Sequence, residues 1–320
     1  MPENKSDLAR FLSEHIIVNA PQGKVVVAAG GFEDERDVRS SEMAIDLSPL
    51  KAAHEEADTR LILHCVHTNC DNIVVSARDT DVLLLLVAHS SQIPCTNLFM
   101  MSGTAAKRKY LNIRAISENL PAASVSALLP FHALTGCDTT SFICNHSKKS
   151  AWKVFRRHHE LLSSIGEGEL TNEKMKKVEK SVCKLYKLDQ IGSVDEARVA
   201  LFSKKAKPEA LPPTEDALSL HVKRVHYQTL LWKQVHSSEP NLPDPETLGW
   251  KRSADNKLES LLMTKDPIPK ACQEIISCSC STGCTNLRCS CKKAKLFCTS
   301  VCACKSNNVN TIVCRNTDTK

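Results

Sequence analysis

The 320-residue sequence is poor in aromatic side chains, which make up 4% of it. It also lacks any unbroken apolar run of the roughly 18 residues that a helix needs to cross a bilayer. Its first stretch, Met1 to Ile16, is interrupted by Asp7, Arg10, Glu14 and His15 and so has no apolar core of a secretory signal. There is no Gly-x-x-x-x-Gly-Lys phosphate loop, no serine-nucleophile motif, no internal repeat and no coiled-coil heptad. These absences argue against helical membrane proteins, secreted domains, P-loop nucleotide hydrolases and serine hydrolases. The expectation is a nuclear or cytoplasmic protein that is not secreted and has no membrane partner. In a reducing compartment its 16 cysteines would not persist as disulfides.

What is present is ordinary in bulk, with 42% apolar and 24% charged residues, enough to build a packed interior. The length favours more than one folded unit, because single cores stop growing above about 250 residues. The formal charge of +6 is unevenly placed. From residue 271 onward Arg288, Lys292, Lys293, Lys295, Lys305, Arg315 and Lys320 face only Glu274 and Asp318, so a formal +5 sits in the tail. Such a tail suits an acidic partner, most often nucleic acid, although a solvated face is the commoner meaning of a charge run.

Val25 to Ala29 is a β-branched run closed by Gly30-Gly31, the pattern of a buried strand and turn. Ser48-Pro49 predicts a helix start, with the helix running to about Thr68. Asn72 to Ala77 and Asn97 to Met101 read as further strands, with a helix over Val82 to Ala88 between them. Strands alternating with helices predict a parallel sheet with crossover connections. Beyond about residue 145 the pattern becomes helical: Ser150 to Leu162, Asn172 to Leu188, Val194 to Ser203 and Thr214 to Val235. Pro240, Pro243, Pro245 and Gly249 then mark a linker.

The tail carries Cys278, Cys280, Cys284, Cys289, Cys291, Cys298, Cys302, Cys304 and Cys314, including three Cys-x-Cys pairs. Zinc prefers four thiolates in a tetrahedron, so nine cysteines fill two sites with one left over, or three sites if three sulfurs bridge. The spacing resembles the tesmin-type CXC domain, which binds zinc and DNA. That resemblance implies a Zn²⁺ module over residues 278–314, with Arg288, Lys292 and Lys293 placed to meet nucleic acid. It departs from the family in the long gap from Cys304 to Cys314 and in Arg288, where DNA-binding members carry tyrosine. A purely structural or protein-binding zinc knot is the alternative. The other seven cysteines show no metal spacing and read as core or incidental thiols.

Acidic residues form a second pattern. His54-Glu-Glu-Ala-Asp-Thr-Arg60 is followed by Asp79-Thr-Asp81 at a strand's carboxyl end, then by Thr135-Gly-Cys-Asp138-Thr-Thr140. Residues i and i+2 of an extended segment share a face, so Asp79 and Asp81 can present two carboxylates where open α/β sheets bind ligands. Clustered carboxylates need a cation, and hard oxygen donors suit Mg²⁺ or Mn²⁺. Glu56 and Asp58 would point about 200° apart on a regular helix, so both reach one site only where a helix ends or distorts. Each motif also has a plain reading, as first-turn acids, helix caps or a turn. His132, near Asp138, reads as a packed or surface histidine.

These motifs resemble the flap-endonuclease-like branch of the PIN-like nucleases over residues 50 to 160. More closely, they resemble a group of uncharacterised animal proteins similar to mobile-element products. The resemblance implies that Glu56, Asp58, Asp79, Asp81 and Asp138 are catalytic metal ligands for Mg²⁺-dependent phosphodiester hydrolysis. It also implies that Lys148 and Lys149 lie where the family grips nucleic acid. Two departures stand out: Val25 to Gly31 ends without the family's first-strand aspartate, and the duplex-holding glycine-rich turn is replaced by Asn145-His-Ser-Lys-Lys149.

The predicted fold class is therefore α/β. Residues 1–145 form a partial PIN-like parallel sheet domain, 146–236 a helical extension, 237–277 a linker and 278–314 the small cysteine-rich module. The functional expectation is a nucleic-acid-associated protein with an incomplete nuclease domain, DNA being a better partner than RNA. Its rival is a non-catalytic DNA-, RNA- or protein-binding remnant of a mobile-element protein.

Overall fold

The computed structural model describes residues 2–52, 54, 56–204, 210–264, 277–280, 283–299, 302–306 and 314–317. Glu55, Cys272, Glu274, Asp318, Lys320 and the expected linker residues 265–276 lie outside the described residues. The chain forms two units. The first gathers Met1–Ala133, Ser163–Gly168 and Val225–Pro245; the second gathers Leu134–Leu162, Glu169–Arg224 and Glu246–Lys320. The architecture is mixed α/β, with three small sheets among the described residues.

In the first unit, helix α1 (Pro2–Val18) precedes strands β1 (Val27–Ala29) and β2 (Val38–Ser40), which pair antiparallel as a hairpin of their own. The predicted first strand therefore does not join the main sheet. Helix α2 (Ala57–His67), strand β3 (Asn72–Ser76), helix α3 (Thr80–His89) and strand β4 (Asn97–Thr104) follow, then strand β5 (Lys107–Asn112). β3 pairs parallel with β4 through the α3 crossover, as the alternating pattern predicts. β5 returns antiparallel on β4. The sheet order β3-β4-β5 leaves one parallel pair in place of the expected parallel sheet. β3 is an edge strand rather than a strand buried on both faces: Ile73 and Val75 are buried while Val74 is half exposed. Helix α3 is apolar nearly all round and buries Val82, Leu85, Leu86 and Val87 at the centre of the unit. Short helices α4 (Ile113–Glu118), α5 (Ala122–Ser126) and α6 (Leu128–Leu134) complete the segment.

The helix expected from Ser48 breaks in two. A single 3-10 turn covers Ser48–Leu50, and α2 begins only at Ala57, because Glu56 is extended (φ −86°, ψ 129°). The first unit is closed by chain from far along the sequence. His226 accepts from the Gly166 amide through Nδ1 (3.0 Å) and contacts the Gly168 carbonyl through Nε2 (3.0 Å). Gly166 has φ +74°, and an added Cβ would sit 2.3 Å from Thr229 Cγ2, so only glycine fits there.

The second unit is built from α7 (Lys148–His158), α8 (Asn172–Leu185), α9 (Val194–Ser203) and the first half of α10 (Glu215–Lys233). These helices fall where the apolar spacing predicts, and Ser147 and Thr171 cap α7 and α8 through their side-chain oxygens. α8 buries Val178, Val182 and Leu185 at helical spacing. Within the residues read as a linker, strands β6 (Trp250–Arg252) and β7 (Leu258–Ser260) form a hairpin. Arg224 holds this hairpin region by donating to the carbonyls of Gly249 (3.1 Å) and Leu261 (3.0 Å). Two short helices in the tail, α11 (Ser290–Lys293) and α12 (Ala303–Ser306), complete the described elements. Among the described residues no helix is long and apolar enough to cross a membrane.

Candidate metal centre

Among the described residues of the tail, every buried side chain is a cysteine. Cys278, Cys284, Cys289, Cys291, Cys298, Cys302 and Cys314 are buried against one another, with Cys280 and Cys304 packed on them. Backbone bonds between distant parts draw the loops together: the Ala303 amide donates to the Cys278 carbonyl, Arg315 to Gly283 and Cys298 to Asn316. Cys289 caps α11 by accepting from the Lys292 amide.

All nine sulfurs are free thiols. Cys278 Sγ lies 3.7 Å from the sulfurs of Cys284, Cys298 and Cys304. Cys289 to Cys298 measures 3.8 Å, while Cys291 to Cys302 and Cys304 to Cys314 each measure 3.5 Å. Sulfurs about 2.3 Å from a shared tetrahedral zinc stand about 3.8 Å apart, so these separations are compatible with the edges of a zinc tetrahedron and are not disulfide distances. Four overlapping sets close to within 4.8 Å: Cys278 with Cys289, Cys291 and Cys298; Cys278 with Cys280, Cys284 and Cys289; Cys278 with Cys298, Cys302 and Cys304; and Cys284 with Cys298, Cys304 and Cys314. Every one of the nine takes part, and Cys278 and Cys298 each belong to three sets. Shared membership is what bridging thiolates require.

Proton equilibria in the cluster point the same way. Burial opposes ionisation throughout, yet the Lys292 amide and neighbouring thiols hold Cys289 down to about 6. The backbone around Cys302 likewise brings it to about 7. Burial and thiol neighbours push Cys298 up to about 11 and raise Cys284, Cys291 and Cys304 further. Cys289 and Cys302 thus give up protons readily while Cys284, Cys291, Cys298 and Cys304 hold them, an imbalance that a cation would resolve by taking a thiolate from each. The donor set, its distances and its burial fit Zn²⁺.

Arg288, Lys292 and Lys293 are exposed on this module, where Leu287, Leu296 and Phe297 are also exposed. Lys292 Nζ donates to the Thr285 carbonyl (2.7 Å). Lys149 is exposed in the first turn of α7, and Lys148 is half-buried beside it.

The acidic constellation is arranged differently. Because α2 starts at Ala57, Glu56 leaves the helix as its extended cap while Asp58 stands in the first turn, so the angular conflict between them disappears. Glu56 feels the charges of both Asp58 and Asp81, which puts the three carboxylates in one neighbourhood of the first unit. Burial raises the Glu56 pKa, against hydrogen bonds from Trp232 Nε1 (3.4 Å) and Gln228 Nε2 (3.5 Å). Asp81 is bonded by His132 Nε2 at 2.7 Å, and the His132 ring stacks on Trp232 with centroids 5.7 Å apart. Trp232 also offers its carbonyl to His89 Nε2 at 2.7 Å. Asp79 is exposed and caps α3 by accepting from the Asp81 amide (3.0 Å). Asp138 belongs to the second unit, exposed in a turn closed by mutual backbone bonds between Cys137 and Thr140.

His54 and Arg60, at the two ends of the His-Glu-Glu-Ala-Asp-Thr-Arg motif, are structural. His54 Nε2 bonds the Ser237 carbonyl (2.7 Å), and Arg60 donates to the carbonyls of Glu35 and Ala52. Gln228 and Trp232 carry no local sequence signal, since they lie about 170 residues from Glu56 on a helix covered on nearly every side. From the sequence His132 reads only as a packed or surface histidine, because its bond to Asp81 carries no local signal. Among the described residues of the first unit, no three carboxylate or imidazole donors converge as the cysteines do. Glu56 and Asp81 are already satisfied by protein donors, so this arrangement does not fit a two-ion Mg²⁺ or Mn²⁺ centre. No protein-family model, no curated protein and no solved structure matches this chain.

Proposed function

We propose that this chain is a nucleic-acid-associated, zinc-binding protein. Its CXC-type tail folds around about three Zn²⁺ ions through bridging thiolates. Its PIN-like acidic constellation is kept in a form that does not cleave phosphodiesters efficiently. The observation that carries the reading is the set of sulfur separations in the tail: eight of the nine cysteines lie at the edge length of a zinc tetrahedron from another, and Cys280 joins one of the four-sulfur sets. The exposed Arg288, Lys292 and Lys293 beside Leu287 and Phe297 give the module a basic and apolar face suited to a nucleic-acid groove. Lys148 and Lys149 in the first turn of α7 add positive potential of the same kind.

The active-nuclease reading rests on Glu56, Asp58, Asp79, Asp81 and Asp138. Against it stand the protonation-prone, hydrogen-bonded Glu56 and the His132-bound Asp81, which favour a remnant that binds rather than cuts. The test uses reduced, freshly purified full chain. Metal analysis should find zinc, and duplex binding should be weak, with a log-log salt slope near −3 if about three phosphates are neutralised. Replacing Arg288, Lys292 and Lys293 by Ala should remove that slope. Assays on flap, hairpin and single-stranded substrates with Mn²⁺ should show no robust turnover. Zinc near zero would end the metal reading, and turnover abolished by both Asp79→Asn and Asp138→Asn would make the chain a working nuclease.

A further inference from the structure

The second unit contains a cleft of about 640 Å³ between the outer part of α7 and the turn that ends α8. Lys153 and Arg157 line it from α7, and Lys184 and Lys187 from the end of α8. Asp189 is the one acid among its lining residues, and it lies 3.4 Å from Lys184 Nζ. Lys153, Arg157 and Lys187 are exposed side chains. Three cations thus share one concave surface with no carboxylate assigned to them, an arrangement that raises local potential and draws anions.

The backbone adds an independent observation. Asn145 (φ 62°) and Lys187 (φ 60°) both line this cleft in the left-handed region, which non-glycine residues rarely enter. Lys187 ends α8: its amide donates to the Lys184 carbonyl, and the Leu188 amide donates to Cys183. That position is ordinarily glycine, because a side chain there costs about 1 kcal/mol. A lysine held there at a cost to the fold, facing the same cleft as a second left-handed residue, is the pattern of a ligand clamp. His146, packed edge-on against Tyr186 at 4.4 Å, gives the cleft a rigid wall.

We infer that this cleft binds a compact polyphosphate, a ligand carrying two or more linked phosphates, with Lys153, Arg157 and Lys187 as its charge partners. A concave, partly open cleft of this volume suits a small ligand, whereas a strand of nucleic acid would follow a longer open stripe. The site is separate from the zinc module and goes beyond the function proposed above.

Inorganic tripolyphosphate serves as the probe, titrated calorimetrically into zinc-loaded full chain at moderate salt. The expected result is saturable one-to-one binding that Arg157→Gln and Lys187→Gly each weaken by about fivefold, the worth of one charge-assisted contact. Lys187→Gly relieves the left-handed strain, so it should melt no lower than the parent while binding worse, a split that a purely structural lysine would not give. Binding that is absent, or unchanged in both variants, overturns the assignment. So does duplex DNA binding that these variants impair while tripolyphosphate fails to bind.

Discussion

Replacing one bridging sulfur should cost the tail more zinc than replacing one terminal sulfur, and the four sulfur sets say by how much. Cys298→Ser breaks three of the four sets and leaves only Cys278, Cys280, Cys284 and Cys289 together. Cys280→Ser breaks one set and leaves three intact. If the parent holds about three ions, the Cys298 variant should retain about one and the Cys280 variant about two to three. Each structural zinc contributes on the order of 10 kcal/mol of apparent binding energy at neutral pH, and in a module whose described buried side chains are all cysteines that energy is folding energy. The Cys298 variant should therefore lose ordered structure in the tail, which proteolysis near residue 290 would report, while the Cys280 variant keeps part of it. Native mass spectrometry of reduced full chain, paired with a thiol count, reads both stoichiometries directly. Equal zinc content in the two variants would show that the sulfurs are not shared as the geometry implies.

Two further perturbations probe the acidic cluster. Trp232→Phe keeps a ring against His132 but removes the donor to Glu56, so urea unfolding should report a loss of about 1 kcal/mol, against roughly 3–5 for Trp232→Ala; a Trp232→Phe protein as stable as the parent would mean that the indole donor contributes nothing distinct. The raised Glu56 pKa carries a definite sign: the folded state holds this proton more tightly than the unfolded chain, so the contribution is full below the unfolded carboxyl range. It fades as pH rises through the raised folded value. Glu56→Gln should accordingly flatten the stability profile from mildly acidic to neutral pH, and a parent profile that rises over that window and is untouched by the substitution would contradict the assignment.

Much of this was legible in the residues, and the rest was hidden for identifiable reasons. Val194–Ser203 and the start of α8 follow from apolar spacing and caps, because those helices bury one face and expose the other, while the start of α10 follows from Pro212-Pro213 before Thr214. β3 follows from a β-branched run and β4 from the short apolar run Leu98 to Met101. β5 did not, because Lys107, Arg108 and Lys109 protect an exposed edge and so erase the apolar alternation by which a strand is recognised. Val27–Ala29 looked like a sheet strand, yet a run of three residues holds no information about its partner, and it found Val38–Ser40. The cysteine cluster was the most legible feature, since ligand spacing is local. The surroundings of Glu56 were the least, since they depend on Gln228 and Trp232 arriving from a distant helix.

That late arrival shapes how the protein can be made. The first unit needs Ser163–Gly168 and Val225–Pro245 as well as its opening 133 residues, so a ribosome must release some 245 residues before Trp232 can close over Glu56, His89 and His132. Until then α3 has its polar neighbours without their partners and part of its apolar surface uncovered, a state in which nascent chains aggregate. Fragments cut after the sheet, at the boundary a sequence reader would choose, would be frozen in that state. Expression that fails for residues 1–145 and succeeds once the chain reaches Pro245 would reflect synthesis order written into the fold rather than a weakness of the sheet itself.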